Sequence, residues 1–431
     1  MAQKVHRRRV IGGIGAAGAL TLAGCLGDDD PVGDDDDDDG DDDNGDDVPA
    51  PGTDPDERDV MHGILQPETG DLGELGTPIA DAAELPSLQL ADEGSPVTVD
   101  VQREDSETLS EAGISRAEDL VAGGYPSFTG AAASDVTIPV ANSVAIPNEV
   151  VMISPASTAP EITDLDGDYV LRTAPSDALQ GGVMAEVAID EGWDTAASMF
   201  TNDAYGQALG AEFGTAFEDL GGEVLEEVPF EPEQASYTSE LEEALGADPD
   251  FLMLVAFPVS GIQIFRDFYG DFDEIPVMVT DGLIEDGLPD DVDNPMDNVV
   301  GTAPAAAGPE VDAFNDLYND QFGTSPGVFN AQAYDASAVQ ILANLRGGEN
   351  EGPAISEQIR EVTSGGGEVV GPSNFADAVE LAADGEEIEY QGASSPVEFD
   401  ENGDMTAVAY DIYDFEDFEI NVVDSVDFEA E

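Results

Sequence analysis

The sequence predicts an α/β fold with two lobes, each built on a parallel sheet flanked by helices. Short apolar runs of strand length alternate with stretches whose apolar residues recur at helical spacing, which is typical of βαβ units with right-handed crossovers. The patterned part of the chain begins near Val60 and continues to residue 431. Because this length exceeds the usual size of one domain, we expect two lobes with a cleft between them.

The predicted strands are short apolar runs bounded by Gly, Pro or Asp. They lie at residues 97–101, 150–153, 196–200, 251–256 and 277–279. Helix-like stretches lie between or beside them, at residues 177–192, 206–220, 236–245 and 261–269. In the second of these, Leu209, Phe213 and Phe217 recur at helical spacing, and the glycine pair at 221–222 ends the helix.

The charge of the chain is far from that of an ordinary soluble domain. It contains 97 acidic and 11 basic residues, for a formal net charge of -86. At molar salt the Debye length falls to about 3 Å, so these charges are screened from one another while the surface stays hydrated. The composition resembles that of haloarchaeal proteins. It argues against a nucleic-acid partner and against electrostatic binding to anionic lipids.

The N-terminal segment has the features of an export signal. Three arginines at 7–9 precede an apolar stretch from Val10 to Ala23 that is too short and glycine-rich for a bilayer span. Residues 1–24 resemble a lipoprotein signal peptide, and the arginine pair also resembles a twin-arginine export signal. Cys25 is then the mature N-terminus and lipid anchor, at the extracellular face of the cell membrane. A free thiol after an uncleaved helix is the alternative.

Residues 25–58 are predicted to form a disordered acidic tether. From Asp28 to Asp47 there are fourteen aspartates and almost no apolar residue, so the segment cannot bury enough surface to fold. Carboxylates also suit a weak cation site, but no spacing here fixes a coordination shell. We interpret the segment as a solvated spacer between the membrane and the folded part.

Two loops after predicted strands are candidates for binding a carboxylate. The first, at 128–137, is a run of small residues before a helix, and Ser134 is expected to be its N-cap. Backbone N–H groups at such a helix end attract anions. The second, at 154–158, follows the strand at 150–153, where ligands of α/β proteins usually bind. Ordinary capping is the alternative for either loop alone.

A series of motifs runs through the chain in a characteristic order. They are GILQPETG at 63–70, LG at 75–76, GAAASDVT at 130–137, ISPAST at 153–158, LRTAP at 171–175 and NDAYG at 202–206. Over roughly residues 60–420 this order resembles the type I periplasmic binding proteins, specifically the branched-chain amino acid binding lipoproteins of ABC importers. The resemblance implies two Rossmann-like lobes joined by a three-strand hinge. Lobe 1 would comprise 59–173 and 303–391, and lobe 2 would comprise 174–302 and 392–431.

The resemblance also implies a ligand site in the cleft. The ligand's carboxylate would be held by the first and second loops, and its ammonium group by an aromatic and an acidic residue of lobe 2. Surface exposure of the acid and core packing of the aromatics are the alternatives. The implied binding residues are Ala133 and Ser134, then Ser157 and Thr158, and on lobe 2 Tyr205, Asp281 and the weaker candidate Phe257.

The implied function is capture of a small amino-acid-like ligand and its delivery to the permease subunits of an ABC importer, by a monomer without cofactor or metal. An enzyme is disfavoured because the mature chain has one histidine, His62, one cysteine and no lysine. The alternatives are a ligand-sensing subunit for a membrane receptor and a surface hydrolase that uses a pair of carboxylates.

Overall fold

A computed structural model of the chain describes residues 59–272 and 275–429. The predicted signal peptide, Cys25 and the tether up to residue 58 lie outside the described residues. Two large sheets, each flanked by helices, form the two lobes, and a two-stranded sheet is added to the first lobe. The predicted two-lobed α/β architecture is confirmed.

Lobe 1 begins with five parallel strands in the order β2-β1-β3-β4-β5. Their apolar side chains are covered on both faces by helices, as is usual for parallel sheets. In chain order the elements are β1 Val60–Gln66, α1 Gly73–Glu93, β2 Val99–Asp105, α2 Ser110–Gly123, β3 Ser127–Gly130, α3 Ser134–Val140, β4 Val151–Ser154 and β5 Val170–Arg172.

Lobe 2 continues the alternation of helices and parallel strands. Its central strand, FLMLV, is buried at every position because both of its faces are covered. The elements are α4 Asp177–Glu191, β6 Thr195–Thr201, α5 Ala204–Asp219, β7 Glu223–Phe230, α6 Thr238–Leu245, β8 Phe251–Val255, α7 Pro258–Asp271, β9 Val277–Val279, α8 Leu288–Val292 and β10 Val299–Pro304.

The chain then returns to lobe 1 before it ends on lobe 2. The last two strands are antiparallel and extend the second sheet, whose order is β14-β13-β10-β9-β8-β6-β7. The remaining elements are α9 Val311–Phe322, α10 Asn330–Gly347, α11 Gly352–Ser364, β11 Glu368–Val370, α12 Phe375–Ala383, β12 Ile388–Tyr390, β13 Ala407–Glu416 and β14 Glu419–Glu429. No helix in these described parts is both long and apolar enough to cross a membrane.

Within the described residues the chain passes between the two sheets three times, after β5, after β10 and after β12. Residues near the first and third passages are bonded across the predicted division. The Arg172 N–H, at the end of β5, donates to the carbonyl of Gly403, in the segment assigned to lobe 2, at 3.0 Å. The division at 173/174, 302/303 and 391/392 therefore stays a prediction.

The first passage is held by a buried arginine. The side chain of Arg172 is 1% exposed and its Nε lies 2.6 Å from Asp404 Oδ1. Its other nitrogens donate to the Ala159 carbonyl at 2.9 Å and to the Thr163 hydroxyl at 2.9 Å. The guanidinium thus ties together the end of β5, the loop after β4 and the segment that leads to β13.

Replacing this arginine is expected to destabilise the fold strongly. Arg172→Ala should lower the free energy of unfolding by about 3 kcal/mol, because it leaves Asp404 and the buried Ala159 carbonyl without this donor. Denaturant unfolding in multimolar KCl measures this. Arg116→Ala is the control, since that side chain is 43% exposed and its ion pairs contribute less than about 1 kcal/mol. Equal losses in the two variants would contradict the assignment.

Candidate functional site

A cavity lies between the lobes, at the carboxyl ends of β3, β4, β6, β8 and β9. Loops at this edge of parallel sheets are the usual ligand sites of α/β proteins. The cavity encloses about 330 Å³ including its mouth. It is lined by Leu72, Leu75, Ile79, Ala132, Ala133, Ser134, Ala156, Tyr205, Phe257, Asp281, Gly282 and Phe329.

Five of the seven predicted binding residues line this cavity: Ala133 and Ser134 from lobe 1, and Tyr205, Phe257 and Asp281 from lobe 2. Each follows closely after a strand of one of the two parallel sheets. Their contact with a ligand stays a prediction, but the fold places them around one space.

The other two predicted residues, Ser157 and Thr158, do not line the cavity. The Ser157 hydroxyl lies 2.7 Å from the Thr137 hydroxyl and donates to the Ala132 carbonyl at 2.8 Å, so its hydrogen bonds hold the first loop against the second. Thr158 is 1% exposed and lies beside Asp177. In this structure both side chains pack against residues next to the cavity and do not face it.

The expectation that Ser134 caps α3 is wrong. Ala133 occupies the N-cap position, and no side chain caps the helix there. The Ser134 hydroxyl instead accepts a hydrogen bond from the Ala159 N–H at 3.2 Å. This hydrogen bond therefore links the first loop to the second. The two loops lie closer together than the sequence indicated.

Gly130 allows the first loop to approach β1. Its φ is +153°, in a region that residues with a Cβ rarely adopt. A Cβ at this position would collide with the Leu65 carbonyl. The glycine therefore lets the chain pass close to the end of β1, just before Ala132 and Ala133 reach the cavity.

On the lobe 2 side, the acid at the cavity is held by two donors. Asp281 is 4% exposed. Its Oδ1 accepts from Gln180 Nε2 at 2.9 Å and from the Tyr205 hydroxyl at 3.0 Å. Burial raises the pKa of Asp281 to about 6, although both hydrogen bonds act to lower it. A buried carboxylate on a mostly apolar cavity is a specific acceptor for a cation.

A second carboxyl lies behind this acid, and the charge of Asp281 affects its pKa. Asp177, at the start of α4, is completely buried. Burial and the charge of Asp281 raise its pKa well above the ordinary value, while the Thr158 hydroxyl and Arg172 oppose the rise. A positive group next to Asp281 would favour the ionised form of both carboxyls.

Two aromatic rings form the adjoining wall. The rings of Tyr205 and Phe257 are stacked, with centroids 5.5 Å apart and an angle of 8° between their planes. The Tyr205 hydroxyl lies 2.8 Å from the Thr280 hydroxyl. Burial and the charge of Asp281 raise the pKa of Tyr205 well above its usual value, so the phenol is neutral. Such a wall accepts an apolar side chain or the face of a cation.

The apolar remainder of the cavity was not predicted. Leu72, Leu75 and Ile79 come from the start of α1, and Phe329 precedes α10. The three α1 residues recur at helical spacing, which was a usable signal for a buried face. Phe329 has no local signal, because only the return of the chain to lobe 1 brings it to the cavity.

The histidine considered for catalysis lies elsewhere, within β1. His62 is 1% exposed, and its Nε2 lies 3.2 Å from the hydroxyls of both Thr129 and Ser337. Burial lowers its pKa to about 3, so the ring is neutral. It packs between the sheet and α10 and is absent from the residues that line the cavity.

Comparisons with known sequences agree with this architecture. The family described as "Periplasmic binding protein" matches residues 61–382. The chain is 26% identical over 254 residues to the "Chemotactic signal transduction system substrate-binding protein BasB" of Halobacterium salinarum, a match that covers 57% of this chain and 60% of that protein. It is 25% identical over 366 residues to the "Leu/Ile/Val-binding protein BraC3" of Rhizobium johnstonii, covering 83% and 92%.

Solved structures with the same fold include three solute-binding proteins. The leucine-binding protein LivK of Thermotoga maritima has a TM-score of 0.71 at 22% identity and covers 85% of this chain and 98% of its own. LivJ of Streptococcus pneumoniae in complex with isoleucine has a TM-score of 0.71 at 17% identity, covering 86% and 100%. An R. palustris protein in complex with benzoate has a TM-score of 0.67 at 16% identity, covering 85% and 96%.

The family match extends over most of the described residues, from β1 through α12. Both lobes and the cleft between them lie within it, and the solved structures share the same arrangement over nearly their whole length. The chain belongs to the type I periplasmic binding proteins, the family that the order of its sequence motifs predicted.

Proposed function

We propose that the protein is an extracellular solute-binding lipoprotein that captures a branched-chain or related amino acid and delivers it to the permease of an ABC importer. Asp281 carries the proposal, because a cavity that is otherwise mostly apolar has a buried acid at one end. Export by the twin-arginine route and attachment through Cys25 complete the proposal. The protein acts as a monomer and returns its ligand unchanged.

A zwitterion with an apolar side chain matches the groups around the cavity. The ammonium group pairs with Asp281 beside the Tyr205 ring, where a charged hydrogen bond is strong because water is excluded. The carboxylate contacts the first loop at Ala133 and Ser134. The side chain packs against Leu72 and Phe329, which are both buried. A ligand that lacks the ammonium group would leave the acid buried without a cationic partner.

A ligand-sensing subunit for a membrane receptor is the second candidate. The observation that favours it is the relative BasB, whose name places it in a chemotactic signal transduction system. The chain spans 60% of the length of that relative. A deletion strain separates the two functions, because an importer subunit is required for uptake of the labelled amino acid, whereas a sensor is required for chemotaxis towards it.

The site assignment is tested first by removing the acid. Asp281→Asn should weaken leucine, isoleucine or valine binding by about 1.5–3 kcal/mol, because it removes a charged hydrogen bond. Ser134→Ala should also weaken binding, at the carboxylate end. Calorimetry of the purified protein in multimolar KCl measures both. Asp290→Asn is the control, since this acid is exposed and lies outside the cavity.

A ligand control separates the two ends of the site. 4-Methylpentanoate has the carbon skeleton of leucine without the amino group, so it should bind the wild-type protein weakly. Its affinity should change less than that of leucine in Asp281→Asn. Unchanged leucine affinity in both Asp281→Asn and Ser134→Ala would rule out the site, whereas an equal loss for both ligands would rule out the ammonium contact.

Ligand affinity should fall as the pH falls through about 6. Asp281 has a pKa of about 6 without ligand, and an ammonium group binds its ionised form. Binding therefore lowers this pKa, so the affinity is full above about pH 6 and decreases by up to tenfold per pH unit below it. Leucine keeps both of its charges from pH 5 to 8. Calorimetry over this range checks the profile, and a similar fall in Asp281→Asn would assign the titration to another group.

Salt should strengthen binding, because closure of the cleft brings acids of the two lobes together. The carboxylate oxygens of Glu74, Glu285 and Asp291 lie within 4.8 Å of one another at the cleft. Raising KCl from dilute buffer to multimolar concentration should increase leucine affinity several-fold, as screening reduces this repulsion. Glu74→Gln with Glu285→Gln should reduce the dependence. A folded protein whose affinity is constant over this range would contradict the prediction.

A further inference from the structure

The helix α7 of lobe 2 begins without a capping side chain of its own. Its N-cap residue is Phe257, whose extended backbone, with φ −97° and ψ 163°, is typical of an N-cap but whose side chain has no acceptor. Pro258 follows and has no N–H group. The first N–H groups of the helix, at Val259 and Ser260, therefore need acceptors from elsewhere.

A carboxylate of lobe 1 provides these acceptors. Asp71 lies between β1 and α1 and is 3% exposed. Its Oδ1 accepts from the Ser260 N–H at 2.8 Å, and its Oδ2 accepts from the Ser260 hydroxyl at 2.8 Å. Its carbonyl oxygen accepts from the Val259 N–H at 3.4 Å. An N-cap aspartate makes the same bond to the third N–H of its own helix, but here the acid is 189 residues away in sequence.

The hydroxyl that faces Asp71 is fixed in orientation by its neighbours. Ser260 Oγ accepts from the Glu233 N–H at 2.9 Å and lies 3.1 Å from the Tyr237 hydroxyl. Because the ionised Asp71 carboxylate can only accept, the Ser260 hydroxyl hydrogen is directed at it. The Ser260 hydroxyl is therefore held in position by contacts within lobe 2 before the lobes meet.

The contact also lies next to two walls of the cavity. Leu72, which follows Asp71, lines the cavity from lobe 1, and Phe257, which precedes α7, lines it from lobe 2. Because each wall residue is within three positions of the hydrogen-bonded pair, forming the pair brings the walls together. Separation of the lobes would expose both Asp71 and the start of α7 to water.

We propose that Asp71 is a positioning residue that holds the cleft closed by capping α7 of the opposite lobe. Insofar as the closed cleft retains an amino acid, the inference rests on the function proposed above. Asp71 does not line the cavity, so its effect on the ligand is through closure. It should slow dissociation of the ligand and have little effect on association, since the cap forms only after the lobes have met.

The negative surroundings of Asp71 oppose the contact. Burial, Glu233 and Asp203 raise its pKa to about 6, whereas the two hydrogen bonds from Ser260 lower it. The cap thus stabilises closure in competition with desolvation and repulsion. A carboxylate at this position without its two donors would favour an open cleft.

The test compares three variants of the purified protein in multimolar KCl. Asp71→Ala removes the cap, and Asp71→Asn keeps one acceptor for the Ser260 N–H. Asp250→Ala is the matched control, because that exposed carboxylate accepts from the N–H groups of Asp194 and Thr195 at the amino ends of β6 and β8, away from the cavity. Stopped-flow dissociation of leucine and hydrogen exchange at Val259 and Ser260 are measured for each.

Leucine should dissociate about tenfold faster from Asp71→Ala, the factor expected from the loss of one cap. Asp71→Asn should lie between this variant and the wild type, and Asp250→Ala should match the wild type. Ligand should protect the Val259 and Ser260 amides in the wild type much more than in Asp71→Ala. Wild-type dissociation rates in Asp71→Ala, or equal protection in both proteins, would overturn the proposal.

The Asp71 cap can also be tested without a ligand. If the wild-type chain binds none of these amino acids, exchange at Val259 and Ser260 and the radius of gyration from X-ray scattering are compared without ligand. Asp71→Ala should then exchange faster and be more expanded than Asp250→Ala. Identical values for the two variants would overturn the cap, separately from the identity of the ligand.

Discussion

The constraint on which the structure depends is that two strongly acidic lobes must close on each other. Acidic side chains of the two lobes lie close together at several places in the cleft. In dilute buffer, electrostatic repulsion between such exposed acids would favour separation of the lobes. Asp71 is surrounded by Glu233 and Asp203, and Asp203 is also close enough to Asp135 for that charge to raise its pKa. Hydrogen-bond donors at the buried acids and screening by salt at the exposed ones permit closure.

Several of the chain's few arginines lie where elements distant in sequence come into contact. Arg172 joins the lobe passages by donating to Asp404 and to backbone and hydroxyl oxygens. Arg103 joins β2 to α1 by ion pairs with Asp81 at 2.8 Å and Glu84 at 3.0 Å. Arg360 donates to the Asp400 carbonyl at 2.7 Å. Because no lysine is available in the folded part, arginine takes these positions, where its several donors can bridge elements that lie far apart in sequence.

The sequence was informative where structure is local. Strand β9 was predicted with its observed bounds, because three apolar residues stand between a proline and polar residues. Tyr205 and Asp281 were predicted from the resemblance of their local motifs to the family, and the fold places both at the cavity. The antiparallel pair β13 and β14 was not predicted, because acidic residues at its exposed positions obscure the alternation of apolar and polar residues. Contacts such as that of Asp71 with Ser260 have no local pattern, because they exist only after two lobes are assembled.

Two carboxyls at the cleft respond to protons in opposite directions. Burial and the neighbouring acids raise the pKa of Asp71 to about 6 in the closed cleft, so closure takes up a proton, compared with a solvent-exposed carboxyl, and is favoured as the pH falls. Asp281 also has a pKa of about 6, but the proposed ammonium ligand would lower it, so loading would release a proton and be favoured as the pH rises. In acid, therefore, protons favour an empty closed cleft. Above pH 6 both acids are ionised, and their desolvation opposes closure of an empty cleft. The hydrogen bonds from Ser260 offset that cost in part at Asp71, and the positive charge of the proposed ligand would offset it at Asp281. Under the proposed function, a bound ligand therefore shifts the cleft towards the closed form.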